Sequence, residues 1–355
     1  MSRLRRIREL GQQVWLDNLS RELLDSGALA RLIAEDGVAG VTSNPAIFYN
    51  AIAKGDGYGA DLARVKARET DPERRFEALV LADIQAACDL LRPLYDETDG
   101  DMGYVSFEVS PRLAQNAAGT LAAARRLWAE IARPNAMIKI PATAACVPAV
   151  ADAIADGINV NVTLIFSPRQ LRDIFAAYRQ GLERRAAAGQ PVRHIRAVAS
   201  VFISRVDALV DRLLPESAAH LRGTIAIAAA KDAYAEWQEI FGAARFAALR
   251  AVGARPQTLL WASTGTKNPA YRDVRYVEEL IGPDTVDTVP DATLAAFIDH
   301  GEARATLAEG LAEARARLAE LAALGLDRDA LGEQLQAEGL KLFDEAFDKL
   351  LTLVA

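Results

Sequence analysis

A chain of 355 residues with 51% hydrophobic and 25% charged residues can bury a large core and is not disordered. Its net charge of -7 argues against general binding to nucleic acid or to an anionic membrane, so any anionic ligand must be held by a local basic site. Cys88 and Cys146 are the only cysteines, too few for a disulfide framework and without zinc-site spacing, which fits a reducing compartment, the cytoplasm by default.

The opening segment MSRLRRIRELGQQ is basic but lacks the apolar core of a signal peptide, and it reads as a short amphipathic helix. No later stretch approaches the roughly 18 unbroken apolar residues of a membrane span. Short apolar, β-branched runs then recur, each followed by turn residues and a longer stretch of helical period. They lie at 12–16 (QQVWL), 38–42 (VAGVT), 103–107 (GYVSF), 136–140 (AMIKI), 158–165 (INVNVTLI), 196–203 (RAVASVFI), 257–262 (QTLLWA) and 285–289 (TVDTV). Helix-forming stretches such as 111–131 and 168–188 separate them. Runs apolar on both faces and alternating with helices indicate parallel strands, and eight such units close a barrel. The predicted fold is therefore α/β, a (β/α)8 or TIM barrel with additional helices. A doubly wound sheet is the alternative, but no strand is followed by GxGxxG or GxxxxGK[ST]. GDGYG at 55–59, beside Lys54, follows no strand and reads as a flexible connection.

Two stretches exceed a minimal barrel. Residues 204–256 have room for two helices. In the tail, 302–353, Leu307, Leu311, Leu318 and Leu321, then Leu331, Leu335, Leu342, Phe343, Phe347 and Leu350, predict a helical hairpin hinged at GLDRD and packed on the outside of the barrel. No tandem repeat or linker divides the chain, so 1–355 reads as one domain.

Lys139 stands out as an ammonium side chain inside the apolar run AMIKIPA, on the fourth strand. Burial disfavours the charged form of a lysine, and the neutral amine has a lone pair that can attack a carbonyl to form a Schiff base. Of 41 basic residues only seven are lysines and 34 are arginines, so arginine is the habitual cation here. A guanidinium cannot serve as a nucleophilic amine, which gives a chemical reason for lysine at this strand position. A salt-bridged or snorkelling structural lysine is the alternative. The histidines, His194, His220 and His300, show no HExxH pattern and read as surface or packing residues, with no metal centre.

Other strand ends add polar groups where a barrel builds its site, at the C-terminal mouth. They are Asp17, Thr42-Ser43-Asn44, Glu108, Asn161 and Thr163, Ser200 and Ser263. Each has a bland reading as a cap, a strand former or a solvated acid. Their occurrence at successive strand ends favours a site. In the connection WASTGTKNP, small residues, backbone amides and Lys267, with Arg205 after the sixth strand, suit a phosphate.

Taken together, VWLDNLSRELL, GVTSNPAIF, VSFEVSP, MIKIPAT, GINVNVTLIFS, ASVFISRVD and LLWASTGTKNP resemble the transaldolases in their longer bacterial form, over nearly the whole chain. That family is a class I aldolase on a (β/α)8 barrel. The resemblance implies that Lys139 is the Schiff-base lysine, Asp17 the acid/base at the bond cleaved, Glu108 the carboxylate acting through a water, and Thr163 a residue that positions that water. It further implies that Asn44, Asn161 and Ser200 bind substrate hydroxyls, that Phe202 lines the pocket, and that Arg205 and Ser263 hold phosphate. Where shorter relatives have Ser-Phe-Arg-Asn, this chain has STGTKN, so Lys267 stands in for that arginine.

The implied reaction moves a dihydroxyacetone unit from sedoheptulose 7-phosphate or fructose 6-phosphate to glyceraldehyde 3-phosphate or erythrose 4-phosphate, in the pentose phosphate pathway. No metal or organic cofactor is expected, the partners are sugar phosphates, and the chain is a monomer or homodimer. The competing readings are a barrel aldolase that releases free dihydroxyacetone and a non-catalytic barrel that only binds sugar phosphates.

Overall fold

In the computed structural model, which describes residues 2–54, 56–242 and 244–355, eight parallel strands close into a barrel in chain order. They are β1 (Gln12–Leu16), β2 (Gly40–Thr42), β3 (Tyr104–Glu108), β4 (Ala136–Pro141), β5 (Val160–Ile165), β6 (Ala197–Phe202), β7 (Thr258–Ala262) and β8 (Thr285–Val289). Each predicted run coincides with one of them, β3 and β4 extending one residue past the predicted end. The barrel closes where β1 lies beside β8, from Gln12 opposite Thr285 to Leu16 opposite Val289. Outward-facing strand residues such as Val41, Ile138, Ile140 and Val162 are buried under the helices, which is why both faces of the runs read as apolar.

The helices start where local chemistry allows. Ser167 and Gln170 form a reciprocal cap at the head of helix Pro168–Ala187, which follows β5. Asp71 accepts from two backbone amides at the head of Pro72–Glu97. Helix Arg3–Glu9 occupies the amphipathic opening segment, with Leu4 and Ile7 buried; Met1 lies outside the described residues. No helix among the described residues is long and apolar enough to cross a membrane.

Three expectations need correction. The stretch after β6 carries three helices rather than two, Ser204–Leu213, Ile225–Gly242 and Ala244–Ala251, because the chain turns at Glu216–Leu221 before the long second one. In the region read as a flexible connection, Gly55 lies outside the described residues, Asp56–Tyr58 makes a single tight turn, and Gly59 opens helix Gly59–Lys66. Tyr58 anchors that turn. It is buried, with the Arg21 guanidinium 4.4 Å from its ring centre and its hydroxyl accepting from the Arg21 amide at 3.0 Å.

The tail is the third. Its hairpin forms, as Leu311–Ala323 and Arg328–Val354, with Asp327 capping the second helix. The first arm lies outside, where Ala314, Leu318 and Leu321 share a small separate core with Val210, Leu221 and Ile225. The second arm instead runs past the strand ends at the mouth, against helices Pro45–Lys54 and Pro72–Glu97 and against β5. Leu342 is 50% exposed and does not belong to its inner face. The buried stripe is Gly332, Leu335, Gly339, Phe343, Phe347, Leu350 and Val354, a helical three-and-four spacing.

Candidate active site

A strand turns alternate side chains to opposite sides, so residues two apart share a face. Trp15, Tyr104, Met137 and Val198 line a cavity at the N-terminal end of the barrel. Two residues farther along the same strands or just past them come Asp17, Ser106, Lys139 and Ser200, and all four therefore face inward nearer the mouth. There a cavity of about 180 Å³ is lined by Asp17, Thr42, Asn44, Lys139, Asn161, Thr163, Ser200, Phe202, Arg205, Ser263 and Lys267, together with Thr288 and Phe343.

Lys139 is 6% exposed. In the register of the sheet it sits between Glu108 on β3 and Asn161 on β5. Its Nζ lies 3.4 Å from Glu108 Oε2, donates to the Ser43 carbonyl at 3.3 Å and stands 5.7 Å from the centre of the Phe343 ring. Glu108 is buried, and that burial raises its pKa; Lys139 opposes the rise and the charge of Asp17 adds to it. Burial likewise raises the pKa of Asp17, against the pull of Lys139, of the Thr42 hydroxyl donated at 2.8 Å, and of Lys267. The result is an amine beside two carboxyl groups that both hold a proton more readily than a carboxylate in water. Such a set can exchange a proton internally and free the amine to attack a carbonyl.

A string of hydrogen bonds crosses three strands beside the amine. Ser200 Oγ donates to Asn161 Oδ1 at 2.7 Å, and Asn161 Nδ2 donates to Ser106 Oγ at 3.0 Å. Asn161 is thereby held in one rotamer. Thr163 Oγ1 is buried with no hydrogen-bond partner among the described residues, and Glu108 Oε2 is buried with only the Lys139 amine at 3.4 Å, so each retains capacity for a ligand or a water. Asn44 has two roles, lining the cavity and capping helix Pro45–Lys54 by accepting from the Ile47 amide at 3.0 Å.

On the far side the loops after β6 and β7 are tied together. Ser204 and Ser263 share a hydroxyl contact of 3.0 Å, and Ser263 takes a left-handed φ of 58°. Behind them Asp207 accepts from Tyr276 at 2.9 Å, and Asp211 accepts from Tyr271 at 2.6 Å. These links hold Arg205, whose guanidinium lies 5.7 Å from the Phe202 ring centre, and the exposed Lys267 on one wall of the cavity. Two cations lining the same cavity as the Asp17 carboxyl group and the Lys139 amine suit a substrate that carries both a carbonyl and a phosphate.

The model of the transaldolase/fructose-6-phosphate aldolase family matches residues 14–354. The chain belongs to that family. It is 55% identical over 351 residues to the transaldolase of Neisseria gonorrhoeae, covering 99% of both chains. It is 52% identical over 352 residues to that of Thiobacillus denitrificans, covering 98% of both. The match to transaldolase 1 of Streptomyces coelicolor is 47% over 356 residues, 99% of this chain and 93% of the relative. Relatives this similar over their full lengths make the chain an enzyme with transaldolase activity, a transferase.

Of the site residues named from the sequence, all but Ser43 and Glu108 line the mouth cavity; these two line an adjoining cleft with Phe76, Phe107 and Phe347 and reach the site through Lys139. Three residues in or beside the site, Ser106, Thr288 and Phe343, escaped the sequence reading of chemistry. Ser106 shares a face with Glu108 in YVSFE, and that phase was available. Phe343 carries no polar signal.

Proposed function

We propose that the transaldolase reaction proceeds through a Schiff base on Lys139. The observation that carries this reading is the buried Lys139 amine at the mouth, 3.4 Å from a carboxyl group and in the same cavity as Arg205 and Lys267. Glu108, whose burial favours its protonated form, takes the ammonium proton, and the free amine attacks the C2 ketone of a ketose phosphate. Water is then lost to give an iminium. Thr163 Oγ1, buried and without a hydrogen-bond partner among the described residues, and Glu108 Oε2, buried with only the Lys139 amine at 3.4 Å, support a water held between them that carries the proton. Asp17 takes the C4 hydroxyl proton, the C3–C4 bond breaks, and the electron pair enters the iminium. The aldose phosphate leaves, and a three-carbon enamine remains on Lys139 until its C3 attacks the aldehyde of a second aldose phosphate; Asp17 returns its proton to the new C4 hydroxyl, water adds to the iminium at C2, the C2–N bond breaks, and the new ketose phosphate leaves with the amine restored.

Asn44, Asn161 and Ser200 hold the hydroxyls of the dihydroxyacetone unit, Phe202 packs beside them, and Arg205, Ser263 and Lys267 hold the phosphate. The donors are sedoheptulose 7-phosphate and fructose 6-phosphate, and the acceptors glyceraldehyde 3-phosphate and erythrose 4-phosphate, in the pentose phosphate pathway. The chain works as one domain, a reading supported by Phe343, Phe347 and Leu350 of the tail, which share the core of the barrel. Two buried free thiols support a cytoplasmic setting.

Borohydride added with fructose 6-phosphate is expected to fix a three-carbon adduct on Lys139, located by peptide mass spectrometry, and Lys139→Ala is expected to show neither adduct nor transfer. An active enzyme with Lys139 unmodified would overturn the mechanism. Activity independent of an acceptor would make it an aldolase.

A further inference from the structure

We propose that Phe343, on the C-terminal helix, determines whether the reaction ends in transfer or in hydrolysis, by walling water off from the three-carbon intermediate on Lys139. The inference rests on the Schiff-base reading above.

The ring of Phe343 is 8% exposed, lines the mouth cavity, and has its centre 5.7 Å from Lys139 Nζ. Every other wall of that cavity comes from a barrel strand or from the stretch that directly follows one, so the tail contributes one residue, and it is apolar. The helix is seated with care. Gln336 Nε2 donates to the Ala142 carbonyl at 2.9 Å and to the Leu164 carbonyl at 3.0 Å, at the ends of β4 and β5. Leu164 takes a left-handed φ of 60° at a break in the β5–β6 register, an unusual conformation for a leucine that persists only where surroundings impose it.

Two glycines let the backbone approach. A Cβ on Gly332 would lie 2.5 Å from Ser167 Cβ, and one on Gly339 would lie 3.0 Å from Leu164 Cδ2. Below Phe343, Phe347 packs on Phe76 with ring centres 6.0 Å apart. Gly332, Gln336, Gly339, Phe343 and Phe347 follow one another at spacings of four, three, four and four, so contacts on both sides fix the height and rotation of the Phe343 ring.

The chemistry gives such a wall a purpose. In the enamine the pair left by C3–C4 cleavage waits at C3. If C3 is protonated instead of attacking an aldehyde, the nitrogen becomes an iminium again. Water then adds at C2, its oxygen becomes the ketone oxygen, the C2–N bond breaks, and dihydroxyacetone leaves with the amine restored. Both of the proton and the water must reach the intermediate. The Phe343 ring, its centre 5.7 Å from the amine, occupies space on one side of the intermediate that solvent other than the water held by Thr163 and Glu108 would otherwise fill, and its face tolerates the iminium charge. Shortening it opens space for water, which occupies about 30 Å³ per molecule in the liquid.

The test compares wild type, Phe343→Leu and Phe343→Ala with two readouts: dihydroxyacetone released from fructose 6-phosphate alone, and transfer to erythrose 4-phosphate. The ratio of release to transfer is expected to rise on the order of tenfold in Phe343→Ala, with Phe343→Leu in between. An unchanged ratio in the folded variants, including a parallel fall of both rates, would overturn the proposal. Should Phe343→Ala fail to fold, Phe343→Leu decides by the same criterion. Borohydride trapping separates the two readings. No Lys139 adduct in the wild type condemns the Schiff base itself, whereas an adduct in wild type and variant with an unchanged ratio condemns only the role of Phe343.

Discussion

Thr42→Val isolates what a single hydroxyl does for the acid/base group. Thr42 Oγ1 donates to Asp17 Oδ1 at 2.8 Å and is itself buried, and valine keeps its shape without the donor. Burial already raises the pKa of Asp17, and the hydroxyl is one of three influences that hold it down, with Lys139 and Lys267. Removing it therefore pushes the group further in the direction that burial sets. In the proposed mechanism Asp17 acts as a base at the C4 hydroxyl, so activity is present above its pKa and is lost as pH falls through it. The acid limb of the pH–rate profile is expected to move toward neutrality. A hydrogen bond to a charged acceptor contributes about 1.5–3 kcal/mol, so at a pH on that limb kcat should fall roughly 10- to 150-fold. On the plateau it should match the wild type. The assay follows glyceraldehyde 3-phosphate formed from fructose 6-phosphate and erythrose 4-phosphate, with coupling enzymes in excess at each pH. An unmoved acid limb would refute the assignment of Asp17, and a uniform fall at every pH would reduce Thr42 to a packing residue.

Two further outcomes are expected. Lys267→Met should raise KM for fructose 6-phosphate about tenfold, the low end for a charge-assisted contact because Lys267 is exposed, and leave kcat nearly unchanged; an unaltered KM would remove Lys267 from the phosphate site. Asp287, on the outer face of β8, is fully buried, accepts from Thr264 at 2.8 Å, and is pushed up by desolvation to about 7. The fold thus binds this proton more tightly than the unfolded chain does, and stability is lost as pH rises from about 4 to about 7. Asp287→Asn should match the wild type in urea unfolding near pH 4 and exceed it above pH 7 by up to about 4 kcal/mol; a constant difference across that range would refute the buried acid.

The barrel was legible because the signal that makes a parallel strand is local. A run such as AMIKIP is apolar on both faces whatever surrounds it, and a lysine in its middle conflicts with that environment visibly. Glu108 was marked by its place at a strand end, and strand alternation would have added Ser106, two residues earlier on the same face, had the hydroxyl been read as part of the site rather than as strand filler. The tail differs in kind. Apolar residues at helical spacing show that a helix buries a face, but Leu335, Leu342 and Phe343 fit neighbouring stripes, and nothing local chooses between them. The choice depends on close approach. Gly332 and Gly339 are seven apart on the stripe that also holds Phe343, and each admits a distant backbone or side chain that a methyl group would repel. That rotates the helix to bury Phe343 and leaves Leu342 in solvent. Its counterpart on the barrel, the left-handed turn at Leu164, carries no glycine and so no mark in the sequence. Chemistry that a residue brings with it can be read from the chain, whereas a role conferred by what a residue faces, as for Phe343, emerges only when the two surfaces meet.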